Sequence, residues 1–184
     1  KVRKPTRVIL SLVDTAHWDQ APLAAVRRGD WGADSVAALL EQLQQEQAAI
    51  AFFAPRLVKP EELAKLPEKK AAQIRRRFVL LGQTLDGMRV WDIRCAVQAL
   101  RSLPDFKRAP LAVRASGEMG VNAAYAALFE PDIARLELTA LPPSHMQGPD
   151  YLNVLKITDI PQVLECLRDR LEPAADPRQR SAEP

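Results

Sequence analysis

The residues of this 184-residue chain whose types could do chemistry, and which stand beside turn signals, are Ser116, Glu118, His17, His145 and Asp176. Together they make up the set that nucleophilic acyl transfer needs. An oxygen attacks a carbonyl, an imidazole takes its proton, and a carboxylate orients the imidazole. Ser116 and Glu118 lie in Ala115-Ser116-Gly117-Glu118-Met119-Gly120. This small-residue turn follows the apolar run 110–113 and precedes a helical pattern with Gly120, Ala123, Ala124 and Ala127 on one face. Strand, sharp turn and small-faced helix is the layout of a nucleophile elbow. In the best frame against G-x-S-x-G, Ala115 stands at the first Gly, Gly117 at the Ser and Met119 at the second Gly; Gly120 matches a further Gly. The place of the attacking oxygen is held by a residue without a side chain.

The other candidates stay open between a sharp role and a bland one. Ser116 is a nucleophile if the register shifts by one, and otherwise a small turn residue. Glu118 is a carboxylate nucleophile only in a frame that loses the small residue before it. Otherwise its charge complements the positive end of the following helix. His17, flanked by Asp14 and Asp19, is an oriented base or a surface histidine. His145, after Pro142-Pro143-Ser144, could meet Ser116 or Glu118 across a cleft. Trp18 is an aromatic for stacking on a sugar or a packing anchor, and Trp31 and Trp91 read as packing anchors. Arg56 is an anion contact or a solvated arginine, and Arg75 to Arg77 read as a solvated helix face.

Alternating buried strands and helices must position these groups. Arg7 to Val13 and Ala48 to Ala54 are short apolar runs typical of strands buried on both faces. The elbow strand and a fourth strand over 134–141 follow, with a short last strand at 171–176. A helix is expected from Asp34 or Ser35 to about Gln47. A long helical stretch over 73–103 breaks near Gly82 or Gly87, with Val90, Ile93, Val97 and Leu100 on one face. A further helix runs from Asp159-Ile160-Pro161 to about Arg170. Residues 20–32 read as irregular, 56–72 as an exposed loop with at most a short helix, and 151–157 as ambiguous. The pattern predicts an α/β chain: a three-layer sandwich with a mainly parallel sheet. Ligands of such sheets bind beyond the carboxyl ends of the strands. The loops 14–19, 55–60, 115–118, 142–148 and 174–177 are therefore expected to share one rim. Residues 1–176 read as one domain and 177–184 as a disordered tail.

Composition narrows the partners. A net charge of +3, with no aromatics interleaved among basic residues, argues against nucleic acid. No apolar run is long enough to span a membrane, and no membrane partner is expected. Cys95 and Cys166 read as buried thiols, no zinc-ligand spacing is visible, and no cofactor or metal is expected. The start Lys-Val-Arg-Lys-Pro suits a processed chain or a piece of a longer one. The compartment is open: exported or periplasmic if a signal peptide was removed, cytoplasmic otherwise.

Three segments carry a family resemblance: Leu80 to Leu100, the elbow with its Ala-rich helix, and Asp159 to Arg168. In this order they resemble the α/β-hydrolase superfamily over about residues 7 to 176. The likeness is greatest to its bacterial acetyl xylan esterase-like and dienelactone hydrolase-like branch, also labelled prolyl oligopeptidase-like. The resemblance implies a carboxylic-ester hydrolase fold, a carbohydrate-ester or other small-molecule ligand, and Asp176 near the place of the triad acid. It also implies a catalytic histidine after one further strand, which would leave this chain incomplete at its C-terminal end. The departures are Gly117 in the Ser position and Leu12-Val13-Asp14 where a His-Gly pair often opens the oxyanion hole. Two expectations follow. One is a degenerate hydrolase domain, a pseudoenzyme that binds a ligand or other domains of a longer chain. The other is an active ester hydrolase using residues outside this chain or an unconventional set.

Overall fold

The computed structural model of the chain describes residues 4–15, 17–58 and 67–172. Four parallel strands form one sheet in the order β2-β1-β3-β4: β1 Arg7–Leu12, β2 Ala48–Phe53, β3 Leu111–Ser116 and β4 Ile133–Thr139. Helices α1 Leu23–Arg28 and α2 Asp34–Gln45 connect β1 to β2. Helices α3 Glu68–Leu80 and α4 Leu85–Ser102 precede β3, α5 Gly117–Phe129 joins β3 to β4, and α6 Ile160–Cys166 follows β4. This is an α/β fold with an entirely parallel sheet.

The chain steps to one side of β1 through α2 and to the other side through α4 and α5. Right-handed crossovers therefore place α2 against one sheet face and α4 and α5 against the opposite one. Side chains alternate across the strands accordingly. Val8, Leu10, Leu12, Leu111, Val113, Ala115, Leu136 and Leu138 form the main core with Val90, Ile93 and Val97 of α4 and the Ala face of α5. Ile9 and Val36 are buried outside that cluster. The other face also presents a polar set, Arg7, Ser11, Arg114, Ser116, Glu137 and Thr139.

Several expectations are corrected. β2 is half-buried throughout rather than fully buried, since it is an edge strand with a neighbour on one side only. Residues 20–32, read as irregular, contain α1, which starts after Pro22 and ends on Gly29 in the left-handed region (φ 73°). α3 begins at Glu68, within the segment read as a loop. The helix break falls at Gly82 (φ 69°), whereas Gly87 is inside α4, where its N–H donates to the Thr84 cap at 3.0 Å. α2 has Ala33 as its cap and no side-chain cap bond. α6 has the expected Asp159 cap, completed into a capping box by Gln162, but it ends at Cys166 and is followed by a 3₁₀ turn, Arg168–Arg170. Residues 151–157 hold another 3₁₀ turn, Val154–Lys156. Of the expected last strand only residues 171 and 172 are described, and Leu171 pairs in parallel with Leu136. Asp176 and residues 177–184 lie outside the described residues. Cys95 and Cys166 are exposed, not buried, as are Trp31 and Trp91.

Candidate functional site

The site is organised by the junction of β3 and α5. β3 ends at Ser116 in extended conformation, and α5 begins at the next residue with no loop between them. Gly117 takes φ +55°, a left-handed conformation that L side chains rarely adopt. The small residues around it have separate reasons. Met119, Ala123, Ala124 and Ala127 are buried against the sheet. A Cβ on Gly120 would lie 2.5 Å from Leu141 Cδ2, so α5 can approach the loop after β4 this closely because Gly120 has none. The strand, turn and close-packed helix expected at 109–128 are all present. A Cβ on Gly117 would have nothing within 4 Å, so this position opens into free space.

The sheet reverses its direction of travel between β1 and β3, and the carboxyl ends of those strands form the crevice where such sheets bind ligands. Register brings Asp14, just past β1, beside Ser116. The Ser116 hydroxyl donates to Asp14 Oδ2 at 3.1 Å. Asp14 Oδ1 in turn accepts from the His17 backbone N–H at 2.8 Å and lies 2.6 Å from His17 Nδ1. Burial raises the Asp14 carboxyl, but the two bonds and the charge of His17, with the bond from Ser116, outweigh it and hold the group below its ordinary value. Three sequence candidates thus stand in line, though in the order Ser–Asp–His. Acyl transfer needs the imidazole between hydroxyl and carboxylate. Here the carboxylate separates the two, so His17 does not receive the Ser116 proton, and a carboxylate this acidic is a poor base.

Two hollows flank this line. A cleft of about 250 Å³ is lined by Asp14, Thr15, Val58, Arg89, Glu118 and Met119. A larger cavity of about 470 Å³, of mixed polar and apolar lining, lies over the other sheet face, where His17, Ser11, Arg114, Ser116, Glu137 and Thr139 meet α2. Arg114 Nε donates to Glu137 Oε2 at 2.6 Å inside it. Glu118 stands in the first turn of α5, where the helix dipole favours a charge. Its pKa is nonetheless raised, by partial burial and then by the Asp86 charge, with Arg89 opposing.

His145 is not part of this site. It is 8% exposed and both ring nitrogens are engaged. Nδ1 lies 2.9 Å from the Pro149 carbonyl, which requires the proton there, so Nε2 accepts from the Tyr125 hydroxyl at 2.9 Å. Its backbone N–H donates to Asp159 Oδ1 at 2.8 Å, and its ring meets Tyr151 edge-on at 5.3 Å. It fastens the 142–148 loop to α5 and α6 and touches neither Ser116 nor Glu118. Arg56 is exposed but not free for an anion: it chelates Asp92 of α4 through Nε at 2.8 Å and Nη2 at 2.5 Å. Trp18 has Arg27 4.1 Å over its ring, so that face does not stack on a sugar.

One polar cluster was missed in the sequence. Asp86 of α4 accepts from Asn122 Nδ2 at 3.2 Å, from Arg89 at 3.2 Å and from the Asp150 N–H at 2.9 Å. The Tyr151 hydroxyl donates to Asn122 Oδ1. Arg89 also donates to the carbonyl of Leu57 at 2.9 Å. The available signal was Asn122, a lone amide on an otherwise apolar helix face. Among the described residues no group of three or more His, Cys, Asp or Glu side chains could hold a metal ion. No helix of the described residues is long and apolar enough to cross a membrane.

A scan against protein-family models found no match, and searches of curated proteins and of solved structures found none either.

Proposed function

We propose that this chain is a degenerate hydrolase-like domain that binds a small polar ligand at the carboxyl ends of β1 and β3 without serine acyl-transfer chemistry. The observation that carries the reading is Gly117: the elbow's left-handed position is occupied by a residue with no side chain. The rest of the crevice supports it. The nearest hydroxyl, Ser116, is spent on Asp14, and His145 is spent on Tyr125 and Pro149. The cavity beside Ser116 is large enough for a sugar-sized ligand, and an acetylated oligosaccharide is the class that the resemblance to acetyl xylan esterase-like proteins suggests.

The rival reading is an active carboxylic-ester hydrolase using residues outside this chain or an unconventional set. It has one observation in its favour, the Ser116–Asp14–His17 line. Hydrolysis of p-nitrophenyl acetate and labelling by a fluorophosphonate probe separate the two. The expected result is no turnover above buffer and no labelling. Turnover that is lost in Ser116→Ala would overturn the proposal in favour of the rival.

A further inference from the structure

We propose that α3 docks the protein onto an anionic lipid surface, lying on the bilayer with its outer face and the leucine pair at its end. This inference is independent of the proposed function. α3 carries Lys69, Lys70, Arg75, Arg76 and Arg77 against the single carboxylate Glu68. Its inner side, Ile74 and Phe78, is half-buried beside Leu57 and Leu85 around an apolar groove of about 240 Å³. Arg75 pins that side to the body through Asp150, with Nη2 at 2.5 Å. The remaining cations, Lys69, Lys70, Arg76 and Arg77, are exposed, and none makes an ion pair among the described residues. Positions 69 and 76, and 70 and 77, are two turns apart, so these charges form a patch about 10 Å long on one helix face.

The same face ends in apolar groups. Leu80 is 85% exposed and Leu81 73% exposed, just before the chain turns at Gly82. Leu80 follows Arg76 by four residues and Arg77 by three, which sets it beside them on the helix surface. A cationic patch alone suits any polyanion. A leucine pair left in water next to it is satisfied by a surface that is anionic outside and apolar a few ångströms deeper, which describes lipid headgroups over acyl chains. Nucleic acid would leave both leucines hydrated, and the patch offers no aromatic ring for base stacking. Arginine and lysine stems can lie along the apolar layer while their charges stay at the phosphates.

The test is co-sedimentation of the full chain with vesicles of phosphatidylcholine alone and of phosphatidylcholine mixed with phosphatidylserine. Binding to the mixed vesicles only is expected, falling as salt rises. Arg76→Glu with Arg77→Glu should weaken it at least about tenfold, since each cation near such a surface contributes severalfold. The charge-matched change of the exposed Lys107 and Arg108 to Glu should leave it unchanged. Leu80→Ser with Leu81→Ser should weaken it severalfold at every salt concentration, with the helical circular dichroism preserved. The proposal fails if the mixed vesicles do not bind, or if the Lys107/Arg108 variant loses as much as the Arg76/Arg77 variant. It fails equally if the leucine variant binds undiminished while duplex DNA competes the protein off the vesicles, which would mark a bare polyanion contact.

Discussion

Replacing Gly117 tests whether the elbow's backbone or its surroundings demand glycine. At φ +55° a residue with a Cβ costs about 1–2 kcal/mol relative to the right-handed region. Gly→Ala also narrows the unfolded ensemble, which returns about 0.4–1 kcal/mol. Nothing lies within 4 Å of the added Cβ, so no clash adds to the balance. Gly117→Ala should therefore destabilise by about 1 kcal/mol, a fall in Tm of about 2–4 °C for a chain of this size. Gly117→Asn should cost less, because asparagine tolerates the left-handed region. Gly117→Ser would place a hydroxyl where the attacking oxygen of an ester hydrolase stands, yet it should gain no esterase activity, since His17 reaches the junction only through Asp14 and His145 is held by Tyr125 and Pro149. Urea titration of wild type and the Ala and Asn variants checks the energies, and p-nitrophenyl acetate checks the activity. Alanine as stable as wild type, or asparagine worse than alanine, would refute the left-handed junction. A loss above about 3 kcal/mol would refute the open space around it.

Three other perturbations have defined outcomes. Asp14 titrates below its ordinary value of 3.8, so its contribution to stability is full above that value and is lost as pH falls through the lower folded one. Asp14→Asn should accordingly destabilise at pH 7, and its gap from wild type should close on acidification, as read by thermal melts across pH. Glu118 titrates the other way: a carboxyl raised on folding weakens the fold once ionised and is neutral while protonated, so Glu118→Gln should raise Tm at pH 7 and leave it unchanged in acid. His145→Ala strands the Tyr125 hydroxyl and the Pro149 carbonyl in a buried place and should cost about 3 kcal/mol, close to 10 °C in Tm, with Tyr125→Phe markedly milder.

What was legible in the sequence follows from what is local. The run Val8-Ile9-Leu10 is a strand because three consecutive branched or leucine side chains need two buried faces, which a central parallel strand supplies. Val90, Ile93 and Val97 recur at helical spacing, and all three are buried. The Asp159 cap and the elbow depend on residues a few positions apart, so their chemistry can be read from the chain alone. Exposure was less legible where a group's surroundings come from elsewhere. Trp91 is apolar enough for a core, yet it lies on the outer side of α4 beside Arg94. β2 reads like β1 in composition but stands at the sheet edge, because nothing within Ala48–Phe53 states how many neighbours it will have.

By itself the sequence determined the α/β alternation, the strand–turn–helix at 109–128 and the bare glycine, Gly117, at its turn. Each is a property of neighbouring residues and their backbone preferences. The tertiary structure alone decided which polar groups meet. Ser116 and Asp14 are 102 positions apart, and they touch because β1 and β3 pair in parallel with Ser11 opposite Arg114. That register orders the line as serine, aspartate, histidine. The same residue types in another order would carry a proton from oxygen to imidazole, and in this order they do not.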